Sequence, residues 1–309
     1  MKLNNKILKN ENMLVEHAPF MHDNIGISKI MGEVILALLP ALAVAACFFG
    51  MDALKVIAVS VVSCVLAEFI WQKVFKISVT ILDLSAVVTG LLLALTLPAK
   101  TPLWIVSIAG IFSIVLIKQA FGGLGHNIFN PALAGRVFIE ALWPHDILNW
   151  QVPLIMPASL DIIKLKLGKI LPMCFDLIIN NQAGNIGEVS IIALLLGALF
   201  LVMRKHIFAV IPVVYVGTVL IGAFALGQNV LVYALNGGLF LGGFYMAADP
   251  VTSPLSSRGK MLSAFFCGMV TLFFGLKGVY FSILLMNAAT PLFDKYTLSK
   301  PFGLKNKWF

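Results

Sequence analysis

Residues 121–136 read FGGLGHNIFNPALAGR, a glycine cluster that runs into Asn-x-x-Asn-Pro in the middle of strongly apolar sequence. Gly122, Gly123 and Gly125 carry no side chain and Pro131 carries no backbone donor, so no single straight helix is expected through this stretch. Hydrocarbon tolerates irregular backbone only where protein or a polar cavity satisfies the freed N–H and C=O groups. A break here therefore points to a site, with Asn127, Asn130 and Arg136 supplying its polar atoms. The competing reading is a helix–helix connection in which glycine allows close packing.

A distant second copy favours the site. Residues 94–98 (ALTLP) end one apolar run, and residues 246–250 (MAADP) end another. Each is followed by a polar, proline-containing link and an apolar span, and then by Asn with small residues: Asn130-Pro-Ala-Leu-Ala in the first half, Asn287-Ala-Ala-Thr-Pro in the second. The offset is about 150 residues, half the chain. Two halves that each contain two short, interrupted apolar segments carry the signature of an inverted repeat whose half-helices meet near the bilayer midplane.

Composition sets the class. With 60% hydrophobic and 12% charged residues and a mean hydropathy of +0.98, the chain reads as an integral membrane protein, since a soluble domain carries about twice that charge. The net charge of +8 is then a matter of loop asymmetry and gives no support to nucleic-acid binding. Cys47, Cys64, Cys174 and Cys267 are far apart and form no C-x-x-C pair, so neither a metal-ligand pattern nor a disulfide framework is visible. Residues 1–20 lack the apolar core of a signal peptide, which makes the first span an expected uncleaved anchor.

The apolar segments fall at 28–49, 54–75, 82–98, 102–121 and 127–143, and again at 188–203, 207–226, 229–248, 260–276 and 278–293. The expected fold is an all-α polytopic membrane protein with about ten transmembrane segments, arranged as two inverted five-helix repeats with broken half-helices. Its divisions are a cytoplasmic N-terminal segment (1–27), a first repeat (28–143), an extracytoplasmic segment (144–187), a second repeat (188–293) and a cytoplasmic tail (294–309). Lysine and arginine collect at residues 2–9, 29, 73–76, 118, 204–205, 258–260 and 295–307, against Lys55, Lys100 and Lys277 in the opposite loops. That bias predicts both termini in the cytoplasm. The segment 144–187, about 45 residues long, exceeds an ordinary connection and is expected to be functional or independently packed; residues 160–170 suit a short interfacial helix with Lys164 and Lys166 at the headgroups.

Four stretches, taken in order, resemble one family: residues 85–97 (SAVVTGLLLALTL), 118–136 (KQAFGGLGHNIFNPALAGR), 184–190 (GNIGEVS) and 248–254 (ADPVTSP). Together they look like the D subunit of Rnf-type electron-transport complexes and, more distantly, the B subunit of the sodium-translocating NADH:quinone oxidoreductase. The resemblance runs from about residue 18 to residue 293. It implies a flavin-carrying membrane subunit of a complex in the bacterial cytoplasmic (inner) membrane that couples electron transfer between ferredoxin and NAD to sodium or proton transport. Such a subunit works with other membrane and peripheral subunits, is not catalytic alone, and depends on a flavin transferase for maturation.

In that family the outer segment carries Asp-x-x-Ser-Gly-Ala-Thr, whose Thr receives FMN through a phosphoester. Here residues 154–161 read LIMPASLD, so Ala158 matches, Ser159 stands where Thr is expected, Met156-Pro157 replaces Ser-Gly, and Pro153 stands in place of Asp. Ser159 is the candidate FMN acceptor, since its alcohol offers the same oxygen chemistry. Gly184, Gly187 and Ser190 are candidate cofactor-binding residues through backbone N–H groups at a helix start, while Glu188 is expected to structure that start. The resemblance also allows a non-covalent riboflavin. Asn127, Asn130, Arg136, Asp249, Thr252 and Asn287 form the expected membrane-embedded polar site, and Glu68 and Lys118 are further costly polar residues at membrane depth that must face protein or water. Asp249 also suits a half-helix terminator with Thr252 and Ser253 capping the next turn. No metal site or catalytic nucleophile is expected. Two other readings stay open: a channel or small-solute transporter without cofactor, and an assembly subunit that has lost its flavin.

Overall fold

A computed structural model describes residues 26–148 and 184–298. The charge-bearing termini, the candidate acceptor Ser159, Cys174 and the expected interfacial helix at 160–170 lie outside the described residues. Within them the chain is helical, and each of the ten apolar segments carries a helix. Two helices, α1 (Ile27–Phe49) and α2 (Met51–Val74), are long and apolar enough to cross a bilayer. Gly50, at φ 61° between them, makes the reversal that a side chain would resist.

The third helix, α3 (Ser85–Leu95), is short and almost wholly buried. Asp83 starts it by accepting the Ser85 N–H at 2.8 Å and the Ser85 hydroxyl at 2.6 Å. Leu84, at φ 62°, sits in the left-handed region that leucine rarely occupies, held between that contact and the Ser28 hydroxyl bond to the Leu82 carbonyl. The next helix, α4 (Leu103–Phe112), continues as a π-helical turn over Ser113–Gln119. It packs tightly on α5 (Pro131–Leu142), because a Cβ on Gly135 would overlap the Ser113 hydroxyl and approach the Ala109 carbonyl. Asn130 caps α5, accepting from Ala132 and Leu133 N–H at 3.1 and 3.4 Å, with Pro131 at the first helical position where no donor is needed. The link across residues 122–125 is glycine for a conformational reason: Gly122, Gly123 and Gly125 have φ of 113°, 92° and 89°. A single turn, α6 (Pro144–Leu148), follows.

The second half repeats this economy. Helix α7 (Ile191–Met203) is capped by Ser190, and α8 (Val210–Ala225) lies along α11 (Ser257–Phe274), where Tyr215 and Thr271 hydroxyls meet at 2.9 Å. Between them are α9 (Val230–Ala234) and α10 (Gly237–Leu241), the latter again extended by a π turn, Gly242–Met246. The last helix is α12 (Val279–Thr297), with Pro291 inside it. The expected caps at Thr252 and Ser253 are corrected: Ser256 caps α11 by accepting the Gly259 N–H at 2.9 Å, and the Asp249 carboxylate instead takes the Val251 N–H at 3.2 Å. Three of the cysteines, Cys47, Cys64 and Cys267, are free thiols.

The two halves meet where α1 crosses α7. A Cβ on Gly197 would overlap both the Ala37 carbonyl and the Tyr245 hydroxyl, so only glycine lets the two backbones approach here. Tyr245 clamps the crossing by donating to the Leu194 carbonyl at 2.9 Å and the Ala37 carbonyl at 3.3 Å. Gly197→Ala is expected to destabilise the fold by about 1–3 kcal/mol through overpacking. A lower midpoint in thermal unfolding of the detergent-solubilised protein would register it, whereas Gly217→Ala, inside α8 with open space around it, should not lower that midpoint and should raise it slightly through helix propensity.

Candidate functional site

The interrupted segments converge on one cavity of about 290 Å³. Its walls come from the first turns of α1 (Ile27, Ile30, Met31, Val34), from α3 (Ser85, Val88, Thr89, Leu92), from the glycine-rich link and start of α5 (Asn127, Asn130, Pro131), and from the far half (His206, Tyr245, Asp249). Polar groups from both halves therefore face a largely apolar chamber. Asn127 donates to the Phe129 carbonyl at 3.0 Å, which fixes the entry to α5. Thr252, beside Asp249, presents its carbonyl to the Thr290 hydroxyl of α12 at 2.9 Å. With the Asn287 amide oriented to satisfy both neighbours, it accepts the Asn130 N–H at 3.1 Å and donates to the Ile283 carbonyl at 3.2 Å. Asn130 and Asn287, expected to lie close, are thus in direct contact.

Behind one wall is a buried ion pair. Lys118, brought inward at the end of the π turn, lies 2.8 Å from Glu68 and 2.5 Å from the Ser85 hydroxyl, and both charged side chains are at most 2% exposed. Gln119 adds a donor to the same Glu68 oxygen at 2.7 Å, while Oε2 of Glu68 is buried without a hydrogen-bond partner among the described residues. Gln72 ties this cluster to the link before α3, exchanging bonds with Thr80 at 2.8 and 3.0 Å. Lys118 and Ser85 line the cavity; Glu68 does not.

Arg136 does not join this group. Two turns along α5, it is 2% exposed and donates Nε to the Thr96 carbonyl at 2.9 Å, satisfying the C-terminal end of α3. Its Nη1 approaches Glu140 at 2.9 Å without hydrogen-bond alignment, and the guanidinium lies 5.7 Å from the centre of the Tyr280 ring. Tyr280 in turn donates to Glu188 at 2.6 Å, and Asn185 donates to the same carboxylate from its amide at 2.7 Å and its backbone at 3.2 Å. This second polar cluster joins α5, α12 and the strap before α7.

Residues 184–190 form that strap. The Ile186 N–H donates to the Leu97 carbonyl at 2.9 Å, and the Glu188 N–H to the Asn185 carbonyl at 3.0 Å. Gly187 packs on Leu95 and Leu241, and Ser190 spends its hydroxyl on capping. The helix begins at Ile191, three residues later than the expected start at Glu188, because Glu188 folds back onto Asn185 and Tyr280. Residues that pattern reading passed over are Ser85, His206, Tyr245 and Tyr280. Tyr245 and Tyr280 had a weak signal, a phenol inside very apolar sequence that must find a partner; Ser85 and His206 had none.

A family model described as "NQR2, RnfD, RnfE family" matches residues 14–303. The chain is 41% identical over 305 residues to the D subunit of the Na(+)-translocating ferredoxin:NAD(+) oxidoreductase complex of Acetobacterium woodii, covering 95% of this chain and 96% of that one. It is 37% identical over 325 residues to the D subunit of the proton-translocating ferredoxin:NAD(+) oxidoreductase complex of Clostridium ljungdahlii, covering 96% and 98%. Against the D subunit of the ion-translocating oxidoreductase complex of Methanosarcina acetivorans it is 36% identical over 295 residues, covering 94% and 96%. Fold and site define a multi-pass inner-membrane protein built around interrupted helices. The chain belongs to the NQR2, RnfD, RnfE family, and it is a membrane subunit of an Rnf-type ion-translocating oxidoreductase complex that acts within that assembly and not alone.

The Lys118–Glu68 pair yields a stability prediction. Lys118→Met alone should cost about 3–5 kcal/mol by leaving Glu68 buried and uncompensated. The double change Glu68→Gln with Lys118→Met should recover most of that loss, as read by thermal unfolding of the solubilised protein.

Proposed function

We propose that this chain is the flavin-carrying membrane subunit of its complex, passing electrons on the route between ferredoxin and NAD while the assembly moves sodium or protons. The observation that supports this most is identity spread end to end, 41% over 95% of the chain, with a relative named for that reaction. The two relatives named for different coupling ions are 41% and 37% identical to this chain, so the similarity carries the complex and not the ion.

In this reading the ten helical segments span the bilayer as two inverted repeats with both termini in the cytoplasm. The segment 144–187 lies outside, and a flavin transferase joins FMN to the Ser159 hydroxyl through a phosphoester. Gly184 lies at the start of the strap that returns from that segment, while Gly187 and Ser190 hold the strap in place.

The cavity is the place for a second, non-covalent flavin such as riboflavin. Its fit rests on the wall chemistry: apolar faces from α1 and α3 suit a flat ring, and Lys118, Ser85, Asn127 and Tyr245 offer polar atoms at its edges. A bound flavin would exchange electrons singly or in pairs; the chain's own residues would orient it and shield it from water.

Denaturing electrophoresis with flavin fluorescence tests the covalent site in cells that contain the transferase. The wild-type band should fluoresce and the Ser159→Ala band should not. A fluorescent alanine variant would refute Ser159 as the acceptor. Flavin released from the native protein on denaturation, with neither band fluorescent, would leave only the non-covalent site. A native protein with no flavin at all would favour the assembly role.

A further inference from the structure

The cavity is roofed by a part of α1 whose construction differs from the rest of that helix. Among its lining residues, Ile27, Pro250 and Val251 reach the surface, so it opens between the first turn of α1 and the link after the second π turn. Ile30, Met31 and Val34 form the adjoining wall. Pro40 lies inside α1 and cannot donate to the Leu36 carbonyl, which removes one rung between this arm and the rest of the helix. Just before Pro40, α1 is gripped by α7 at Ala37, where Gly197 and Tyr245 press on its carbonyl. On the far side of that grip the arm is pinned by two contacts. Ser28 donates to the Leu82 carbonyl at 2.8 Å, and Glu33 meets His206 at 2.6 Å, with Arg204 at 3.6 Å as a second cation. His206 itself lines the cavity, so the second contact joins the arm to the opposite half of the protein at the site.

We propose that residues 27–36 are a gate over the cavity, with its fulcrum at Ala37–Gly197, its hinge at Pro40 and its latch between Glu33 and His206. The geometry is that of a lever. One broken rung next to a clamped point lets the short arm tilt without disturbing the crossing, and the arm's closed position is held across the halves at one carboxylate, Glu33, which meets His206 closely and Arg204 at longer range. Glu33 and His206 thus act as residues that control access and contact no reacting atom.

The test measures access to the cavity wall in membranes that contain the whole complex. Cys47, Cys174 and Cys267 are replaced by alanine, Thr89→Cys supplies a reporter in the wall, and the native Cys64, fully buried away from the cavity, reports on intact folding. Labelling by a small water-soluble maleimide is read peptide by peptide with mass spectrometry. Glu33→Gln should raise the labelling rate at position 89 by about fivefold or more while Cys64 stays protected. Adding Pro40→Ala to Glu33→Gln should bring the rate back toward the starting value by restoring the missing rung. The proposal is overturned if position 89 labels as slowly in Glu33→Gln as in the reporter alone, if Pro40→Ala leaves the raised rate unchanged, or if Cys64 becomes labelled in step with position 89.

Discussion

The constraint on which this structure depends is that backbone groups freed inside hydrocarbon need partners from the protein itself. The breaks at the end of α3 and the start of α5 are answered by groups from other parts of the chain. The carbonyl of Thr96, at the end of α3, takes the Arg136 guanidinium of α5, and the next carbonyl, Leu97, takes the Ile186 N–H from the strap. The first N–H of the α5 cap goes to Asn287 of α12. Short helices therefore do not stand alone; the ends of α3 and α5 are completed from residues 40 to 157 positions away.

This explains why the breaks and the site coincide. An interruption brings unpaired donors and acceptors to membrane depth, and the side chains that satisfy them are polar by necessity. The same side chains then make the space between them chemically distinct from the surrounding lipid contact. The two π turns add to the effect, since each re-aims the residues at its end: Lys118 toward Glu68 and Ser85, and Tyr245 toward the α1–α7 crossing.

Much of the helical layout was legible in the sequence, because hydrophobic segment length and the Gly–Pro punctuation are local signals. The break at residues 121–131 was visible from Gly122, Gly123, Gly125 and Pro131, and the closeness of Asn130 to Asn287 was expected from the similar short stretches that hold them. What stayed hidden depends on partners far apart in the chain. Nothing local distinguishes Lys118, paired with Glu68 50 positions away, from Arg136, which serves a helix end. The strap at 184–190 reads as a helix start, and Glu188 does structure a single 3-10 turn there by accepting the Asn185 N–H; what the stretch does not announce is that Gly237 and Gly238 let α10 close over it and that Tyr280 reaches it from α12. The cavity belongs to no single stretch, and the arm that roofs it looks in sequence like any first turn of a spanning helix.

The order of charges around the cavity carries a final consequence. Lys118 faces the chamber while its counter-charge, Glu68, stands behind it, and Asp249 across the chamber is bonded to its own link through Val251 and Thr252. A lone buried cation would repel other cations and draw anions strongly in a medium of low dielectric constant. Backed by a carboxylate at 2.8 Å and bonded also to the Ser85 hydroxyl, its ammonium keeps one N–H for the chamber, with much of its field cancelled. The wall can therefore orient a neutral polar edge without fixing the net charge of what enters.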